Sequence, residues 1–124
     1  MAKKVLAAVD DLIFAAKIKA TGQATGAELR FAKSLAAAIA QAEEDAPDCV
    51  LVDLHSEKCE PLALARAFKS SDRLKNVWLI GFFSHVQTAL MREAQAAGYD
   101  DVLPRSAFTK RLPEILQGKG VATD

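Results

Sequence analysis

Residues 5–11 read Val-Leu-Ala-Ala-Val-Asp-Asp, an apolar run of five residues that ends in two adjacent carboxylates, Asp10 and Asp11. The run is continuous rather than alternating, which is typical of a strand whose two faces are both covered. Strands of this kind belong to parallel sheets that carry helices on both sides. The opening of the chain therefore predicts a buried parallel strand with acidic residues directly after it.

Four more apolar runs follow, and patterns of helical period separate them. The runs are 29–32, which alternates as a strand near an edge does, then 49–52, 77–83 and 102–103. The predicted helices span 12–20, 35 to about 44, 61 to about 69, 87–97 and 110–117. The first helical pattern fades at Thr21 and Gly22. Strands and helices thus alternate along the whole chain.

Capping residues define the expected ends of the helices. Ser34 is expected to cap the second helix, and Pro61 suits the first turn of the third. Ser84 is a candidate cap for the fourth helix, which Gly98 ends. Thr109 is a candidate cap for the last helix and would place Pro113 in its first turn.

The alternation predicts an α/β fold of three layers, α/β/α, around one five-stranded parallel sheet. A flavodoxin-like winding with strand order 2-1-3-4-5 is expected. The chain is predicted to be a single domain over residues 1–124, with its core at about 4–117 and a flexible tail at 118–124.

Composition excludes several classes of function. Of the 124 residues, 51% are hydrophobic and 26% are charged, which is typical of a globular domain. Sixteen basic and sixteen acidic side chains give a net charge of zero, so neither nucleic acid nor an anionic membrane surface is an expected partner. No apolar run approaches the roughly 18 residues that span a membrane. Two cysteines outside any CxxC pair favour a reduced, cytoplasmic setting.

The residues that follow the strands predict where chemistry takes place. In an open parallel sheet, ligands bind at the carboxyl ends of the strands, beside the switch in strand order. Asp10 and Asp11 follow the first strand, Asp53 the third, Ser84 the fourth and Arg105 the fifth. Three converging carboxylates repel one another, and Mg²⁺ relieves that repulsion with the oxygen ligands it prefers. Arg105 would neutralise part of the charge or hold a phosphoryl oxygen.

Other chemistries find less support in the sequence. Neither GxGxxG nor GxxxxGK[ST] follows the first strand, which argues against a dinucleotide or a P-loop nucleotide but leaves a flavin open. His55, His85 and Cys59 have no spacing typical of zinc ligands. Ser84 and His85 are adjacent and lack a nucleophile elbow, so a hydrolase triad with Asp53 is not favoured.

Three stretches carry a resemblance to a known family: VLAAVDD at 5–11, PDCVLVDL at 47–54 and AQAAGYDDVLPR at 94–105. From about residue 4 to 116 the chain resembles the receiver domains of two-component response regulators, whose fold is the CheY-like form of the flavodoxin-like winding. The resemblance implies that Asp10 and Asp11 hold Mg²⁺ together with Asp53, the acceptor of a phosphoryl group from a histidine kinase. It also implies that His55 lends the metal its backbone carbonyl.

The sequence departs from that family where a receiver converts phosphorylation into a change of shape. Counting back from Arg105 without gaps places Phe83 at the family's hydroxyl position, with Ser84 one residue later, and the sequence leaves both open. Arg105 stands where the family has lysine, and Ser106 where a proline is usual. Val102 stands at the aromatic switch position.

Three interpretations follow from these features. The first is an atypical receiver module that is not a turnover enzyme, acts through contacts with a histidine kinase or another signalling protein, and is a candidate homodimer. The second is a degenerate receiver that serves as a phosphorylation-independent interaction or dimerisation module. The third is a flavodoxin-like protein that binds a small ligand. Two simpler hypotheses also stand: Asp10 and Asp11 cap the first helix, or Arg105 pairs with Asp53 or Asp101 and closes a metal-free pocket.

Overall fold

A computed structural model describes residues 3–118, in which five strands and five helices alternate. In chain order they are β1 Lys4–Ala8, α1 Leu12–Thr25, β2 Glu28–Ala32, α2 Leu35–Glu44, β3 Cys49–Asp53, α3 Pro61–Lys69, β4 Trp78–Phe83, α4 Thr88–Ala97, β5 Asp101–Pro104 and α5 Arg105–Leu116. All four strand pairings are parallel, and the sheet order is β2-β1-β3-β4-β5. The predicted alternation and strand order are confirmed. The predicted tail lies outside the described residues except for Gly118.

The central strands bury both of their faces, which explains their continuous apolar runs. Leu6 and Val50 lie in the layer covered by α2, α3 and α4, whereas Val5 and Leu51 lie in the layer covered by α1 and α5. All four side chains are at most 2% exposed. The edge strand β2 is only partly buried, as its alternating pattern predicts. Within residues 3–118, none of the helices is both long enough and apolar enough to cross a membrane.

Helix α1 continues past the point where its pattern fades, so the prediction that it fades at Thr21 and Gly22 is wrong. A side chain on Gly22 would meet Leu29 of β2, since a Cβ there would lie 2.8 Å from the Leu29 Cδ2 atom. Glycine at this position therefore lets the helix approach the strand closely rather than ending it. The helix ends at Gly26, whose φ of 77° places it in the left-handed region and whose N–H donates to the Gly22 carbonyl.

Two of the predicted helix caps are wrong, and one correction moves a site residue. Helix α5 begins at Arg105 directly after Pro104, which has extended backbone angles, so Arg105 occupies the first helical position rather than a loop. Thr109 lies inside the helix, where its hydroxyl donates to the Arg105 carbonyl at 2.8 Å, and Pro113 lies well beyond the first turn. The helix starts before Thr109 because the packing of Phe108 in the core outweighs the preference of Thr109 for a capping position.

The other wrong cap is Ser84. Helix α4 begins at Thr88 after Gln87, and no side chain of the described residues accepts a capping hydrogen bond from its first turn. Residues 84–87 instead form an exposed loop at the end of β4. The remaining helix ends are confirmed: Ser34 accepts from the Ala37 N–H at 3.2 Å, Pro61 opens α3, and Gly98 follows α4.

Candidate functional site at the carboxyl edge of the sheet

The residues predicted for the site meet in one pocket of about 250 Å³ at the carboxyl ends of the strands. The pocket is lined by Asp10, Asp11, Asp53, His55, Phe82, Ser84 and Arg105. Strand β1 pairs with both β2 and β3, so the acidic pair that follows β1 lies beside the end of β3. The structure thus brings together every predicted site residue, while their chemical roles remain predictions.

Strand alternation distinguishes Phe83 from Ser84. Side chains two residues apart point to the same side of a strand, and Phe82 and Ser84 both line the pocket. Phe83 is 4% exposed and packs in the layer beneath α2, α3 and α4. The hydroxyl beside the carboxylates is therefore that of Ser84, one residue after the position given by counting without gaps.

Asp53 ends β3 and is half-buried. Its Oδ1 atom accepts a hydrogen bond from the His55 N–H at 2.9 Å. Burial raises the pKa of the Asp53 carboxyl, and the His55 N–H and the positive charge of Arg105 offset only part of that effect. The surroundings of Asp53 therefore compensate only part of the cost of burying its charged form.

Asp11 is already engaged within the fold. Its Oδ1 atom caps α1 by accepting from the Ile13 and Phe14 N–H groups at 3.0 and 3.1 Å. Its Oδ2 atom accepts from Nη2 of Arg105 at 3.2 Å. The Phe14 N–H and then Arg105 lower the pKa of the Asp11 carboxyl. The capping hypothesis thus holds for Asp11.

The partner predicted for Arg105 is wrong. Arg105 pairs with Asp11 rather than with Asp53 or Asp101. Asp101 instead accepts a hydrogen bond from Nε1 of Trp78 at 3.2 Å, at the other end of the sheet. The start of α5 at Arg105 explains the difference, because the first turn of α5 lies against the start of α1.

Phe14 belongs to the site although sequence reasoning missed it. The guanidinium carbon of Arg105 lies 3.8 Å from the centroid of the Phe14 ring, which is within the range of a cation–π contact. The Phe14 ring in turn packs against Phe82 and Phe108, at centroid distances of 5.0 and 6.0 Å. The only signal in the sequence was that the apolar residues 12–14 directly follow the acidic pair.

The donor chemistry of the pocket fits a hard divalent cation, with two carboxylates still available. Asp10 makes no hydrogen bond or ion pair with other residues of the described range 3–118, and Asp53 faces the same pocket. Oxygen ligands of this kind are those that Mg²⁺ prefers. Within that range, however, no three His, Cys, Asp or Glu side chains are grouped closely enough to hold one ion. Asp11 is the third carboxylate of the pocket, and its hydrogen bonds with the start of α1 and with Arg105 already occupy both of its oxygens.

Solved structures resemble nearly the whole chain, whereas no protein-family model and no curated protein matches it. The chemotaxis response regulator CheY4 of Vibrio cholerae is 20% identical, with a TM-score of 0.83 over 95% of this chain and 98% of that chain. The receiver domain of a sensor histidine kinase from Pseudomonas aeruginosa, solved with a magnesium ion in its active-site cleft, is 17% identical, with a TM-score of 0.81 over 96% and 100%. The phosphorylated cyanobacterial phytochrome response regulator RcpA is 17% identical, with a TM-score of 0.79 over 95% and 91%.

This chain has the receiver-domain fold. Identities of 17–20% establish the fold alone. Within the receiver fold, the pocket described above lies at the switch in strand order, where this type of sheet binds its ligands.

A histidine contact joins two loops of the receiver fold beside the pocket. The His85 N–H donates to Nε2 of His55 at 3.4 Å, and the two rings lie 5.7 Å apart. Cys59 is fully buried, with its Sγ atom 3.9 Å from the Ala32 carbonyl. In the part of the chain that the structure describes, these side chains form no group of three metal ligands.

Asp53→Asn is expected to raise the Tm of the receiver fold at neutral pH by a few degrees. The folded-state pKa of Asp53 lies above its unfolded value, so the native state binds more protons between the two values. Stability contributed by Asp53 is therefore lost as the pH rises through that window, and asparagine removes the loss. Thermal unfolding at pH 7 and again below pH 3.8 measures the effect, which should vanish at the lower pH.

Asp72→Asn is the matched control, because the Asp72 side chain is fully exposed and its ion pair within residues 3–118 is with the neighbouring, exposed Lys75. It should leave the Tm unchanged within about a degree. An equal rise in Tm for both variants would attribute the effect to net charge rather than to the burial of Asp53.

Proposed function

We propose that this chain is a receiver module of two-component signal transduction that accepts a phosphoryl group on Asp53. The observation that carries the proposal is the convergence of Asp10, Asp53 and the Ser84 hydroxyl in one pocket at the carboxyl edge of a receiver fold. The phosphorylated and magnesium-bound states of two similar structures support it. The donor would be a phosphohistidine of a histidine kinase or of another signalling protein.

In the proposed reaction, an oxygen of the Asp53 carboxylate attacks the phosphorus atom. A bond forms between phosphorus and that oxygen, the bond from phosphorus to the donor imidazole nitrogen breaks, and that nitrogen leaves with its electron pair. The His55 N–H orients the carboxylate through its Oδ1 atom. The Ser84 hydroxyl, which lines the same pocket, is proposed to donate to a phosphoryl oxygen.

Mg²⁺ is the cofactor proposed for this pocket, and it would spread the negative charge of the phosphoryl oxygens. Asp10, Asp53 and the backbone carbonyl of His55 are the groups proposed to hold it. Asp11 would join them only after leaving Arg105. The chain consumes one phosphoryl group and changes state, so we propose that it is a signalling module rather than a turnover enzyme, with output through protein contacts.

The pairing of Asp11 with Arg105 favours a second candidate function. A receiver whose third carboxylate is held by an arginine would bind Mg²⁺ poorly and serve as a phosphorylation-independent interaction or dimerisation module. A flavin is not favoured, because the pocket of about 250 Å³ is smaller than typical ligand sites. Its three carboxylates would also repel the flavin phosphate.

Thermal unfolding with and without ligands tests the proposed function. Mg²⁺ should raise the Tm of the wild type, and Mg²⁺ with beryllofluoride, which mimics an aspartyl phosphate, should raise it further by mass action. The second increment should be absent in Asp53→Asn. Because that substitution also shifts the baseline, the increments are compared rather than the Tm values. No increment with either ligand in the wild type would contradict the proposal and favour the interaction module.

A further inference from the structure

Asp11, Arg105 and Phe14 each contact the other two, and these contacts join the start of α1 to the start of α5. The Asp11 carboxylate accepts from the Phe14 N–H at 3.1 Å and from Arg105 at 3.2 Å. The third contact joins Arg105 and Phe14, where the guanidinium carbon lies 3.8 Å from the centroid of the aromatic ring. The Arg105 side chain is 35% exposed and that of Asp11 is 40% exposed, so solvent only partly screens the attraction between their charges.

The position of Arg105 in α5 makes these contacts necessary. A cation at the first position of a helix faces the positive end of the helix dipole, and the first turn of α5 contains no acidic residue to compensate. The Nε atom of Arg105 is buried and has no hydrogen-bond partner among residues 3–118. Asp11 and the Phe14 ring are therefore the contacts that hold the guanidinium in place.

The Phe14 contact depends on the shape of arginine. A planar guanidinium stacks on an aromatic face, whereas the compact, strongly hydrated ammonium of lysine does so less well. Phe14 is itself fixed by the aromatic packing of Phe82 and Phe108, whose rings stack at 4.5 Å. The Phe14 side chain that contacts Arg105 is thus part of the core.

We propose that the guanidinium of Arg105 competes with a divalent metal for the Asp11 carboxylate. Phe14, whose ring contacts the guanidinium, is then the positioning residue that sets the strength of this competition. The inference rests on the proposed function, since it concerns the metal of the same pocket. A metal in this pocket and the guanidinium would share the Asp11 carboxylate, so whatever stabilises the Arg105 contact lowers the affinity for the metal.

Affinity for Mg²⁺ in three variants tests the inference, measured by amide chemical shifts of Asp10 and His55 at fixed pH and salt. Arg105→Ala should tighten Mg²⁺ binding about three- to tenfold, because the competing cation is gone. Phe14→Leu keeps every charge but removes the aromatic ring that contacts the guanidinium. It should tighten Mg²⁺ binding about two- to fivefold. Phe68→Leu makes the same change in the core layer on the other face of the sheet and should leave Mg²⁺ affinity unchanged.

Each outcome separates the inference from the proposed function. Tighter binding in Arg105→Ala with no change in Phe14→Leu would overturn the inference, since a general loss of repulsion explains it, and would leave the proposed function standing. Equal tightening in Phe14→Leu and Phe68→Leu would also overturn it, by attributing the effect to a loosened core. If Phe14→Leu does not fold, Arg105→Lys keeps the charge and should give an affinity between wild type and Arg105→Ala. Absence of Mg²⁺ binding in all variants would contradict both proposals.

Discussion

Asp53→Asn is expected to abolish incorporation of a phosphoryl group when the protein is incubated with Mg²⁺ and acetyl phosphate, a small acyl phosphate donor. The wild type should gain one phosphoryl group per chain in its intact mass. The reason is chemical, because an amide oxygen is too weak a nucleophile to replace the carboxylate that ends β3. The bound group should be released by hydroxylamine, which cleaves acyl phosphates.

Two further variants locate the reaction within the pocket. Asp10→Asn should slow the labelling without abolishing it, because Asp10 contributes charge for the metal but is not the acceptor. Asp72→Asn, at an exposed site away from the pocket, should label as the wild type does. Labelling that persists in Asp53→Asn would place the acceptor elsewhere and contradict the assignment. A wild type that takes up no phosphoryl group, although it is folded, would favour the interaction module.

The positions of the acidic residues could be predicted from the sequence because they depend on local signals. A continuous apolar run such as 5–9 predicts a strand buried on both faces, and the residue after it lies at the carboxyl edge. Alternation of strands and helices predicts a parallel sheet, and the flavodoxin-like strand order expected for it brings Asp10 beside Asp53. No contact between distant side chains enters this reasoning.

The contacts of Arg105 could not be predicted, because they depend on where α5 begins. Thr109 and Pro113 carry the usual signals of a helix start, yet the helix begins five residues before the predicted start and places Arg105 against the start of α1. Whether Phe83 or Ser84 faces the pocket depends in the same way on the register of β4 against β3, where Asp53 lies opposite Phe82. Both answers come from tertiary packing rather than from a local pattern.

Gly81→Ala is expected to destabilise the fold by about 1–3 kcal/mol, and the cause lies beside Asp53, the proposed phosphoacceptor. Gly81 is buried in β4 opposite Val52, and a Cβ there would lie 2.8 Å from Cδ2 and 3.0 Å from Cγ of Leu54. Leu54 is 3% exposed, follows Asp53 directly and donates its N–H to the Phe82 carbonyl at 3.0 Å. The added methyl group must therefore displace a packed side chain, although the less flexible unfolded chain offsets part of the cost.

A double-mutant cycle in urea identifies Leu54 as the source of that cost. Leu54→Ala alone should cost about 2–5 kcal/mol, because it leaves a cavity above Gly81. In that background Gly81→Ala should cost close to nothing, since its methyl group then enters the vacated space, so the two changes should be far from additive. Additive costs would instead assign the effect to the backbone of β4. Since Leu54 directly follows Asp53, Gly81→Ala should also reduce the Tm increment from beryllofluoride, whereas strain confined to β4 would leave that increment intact.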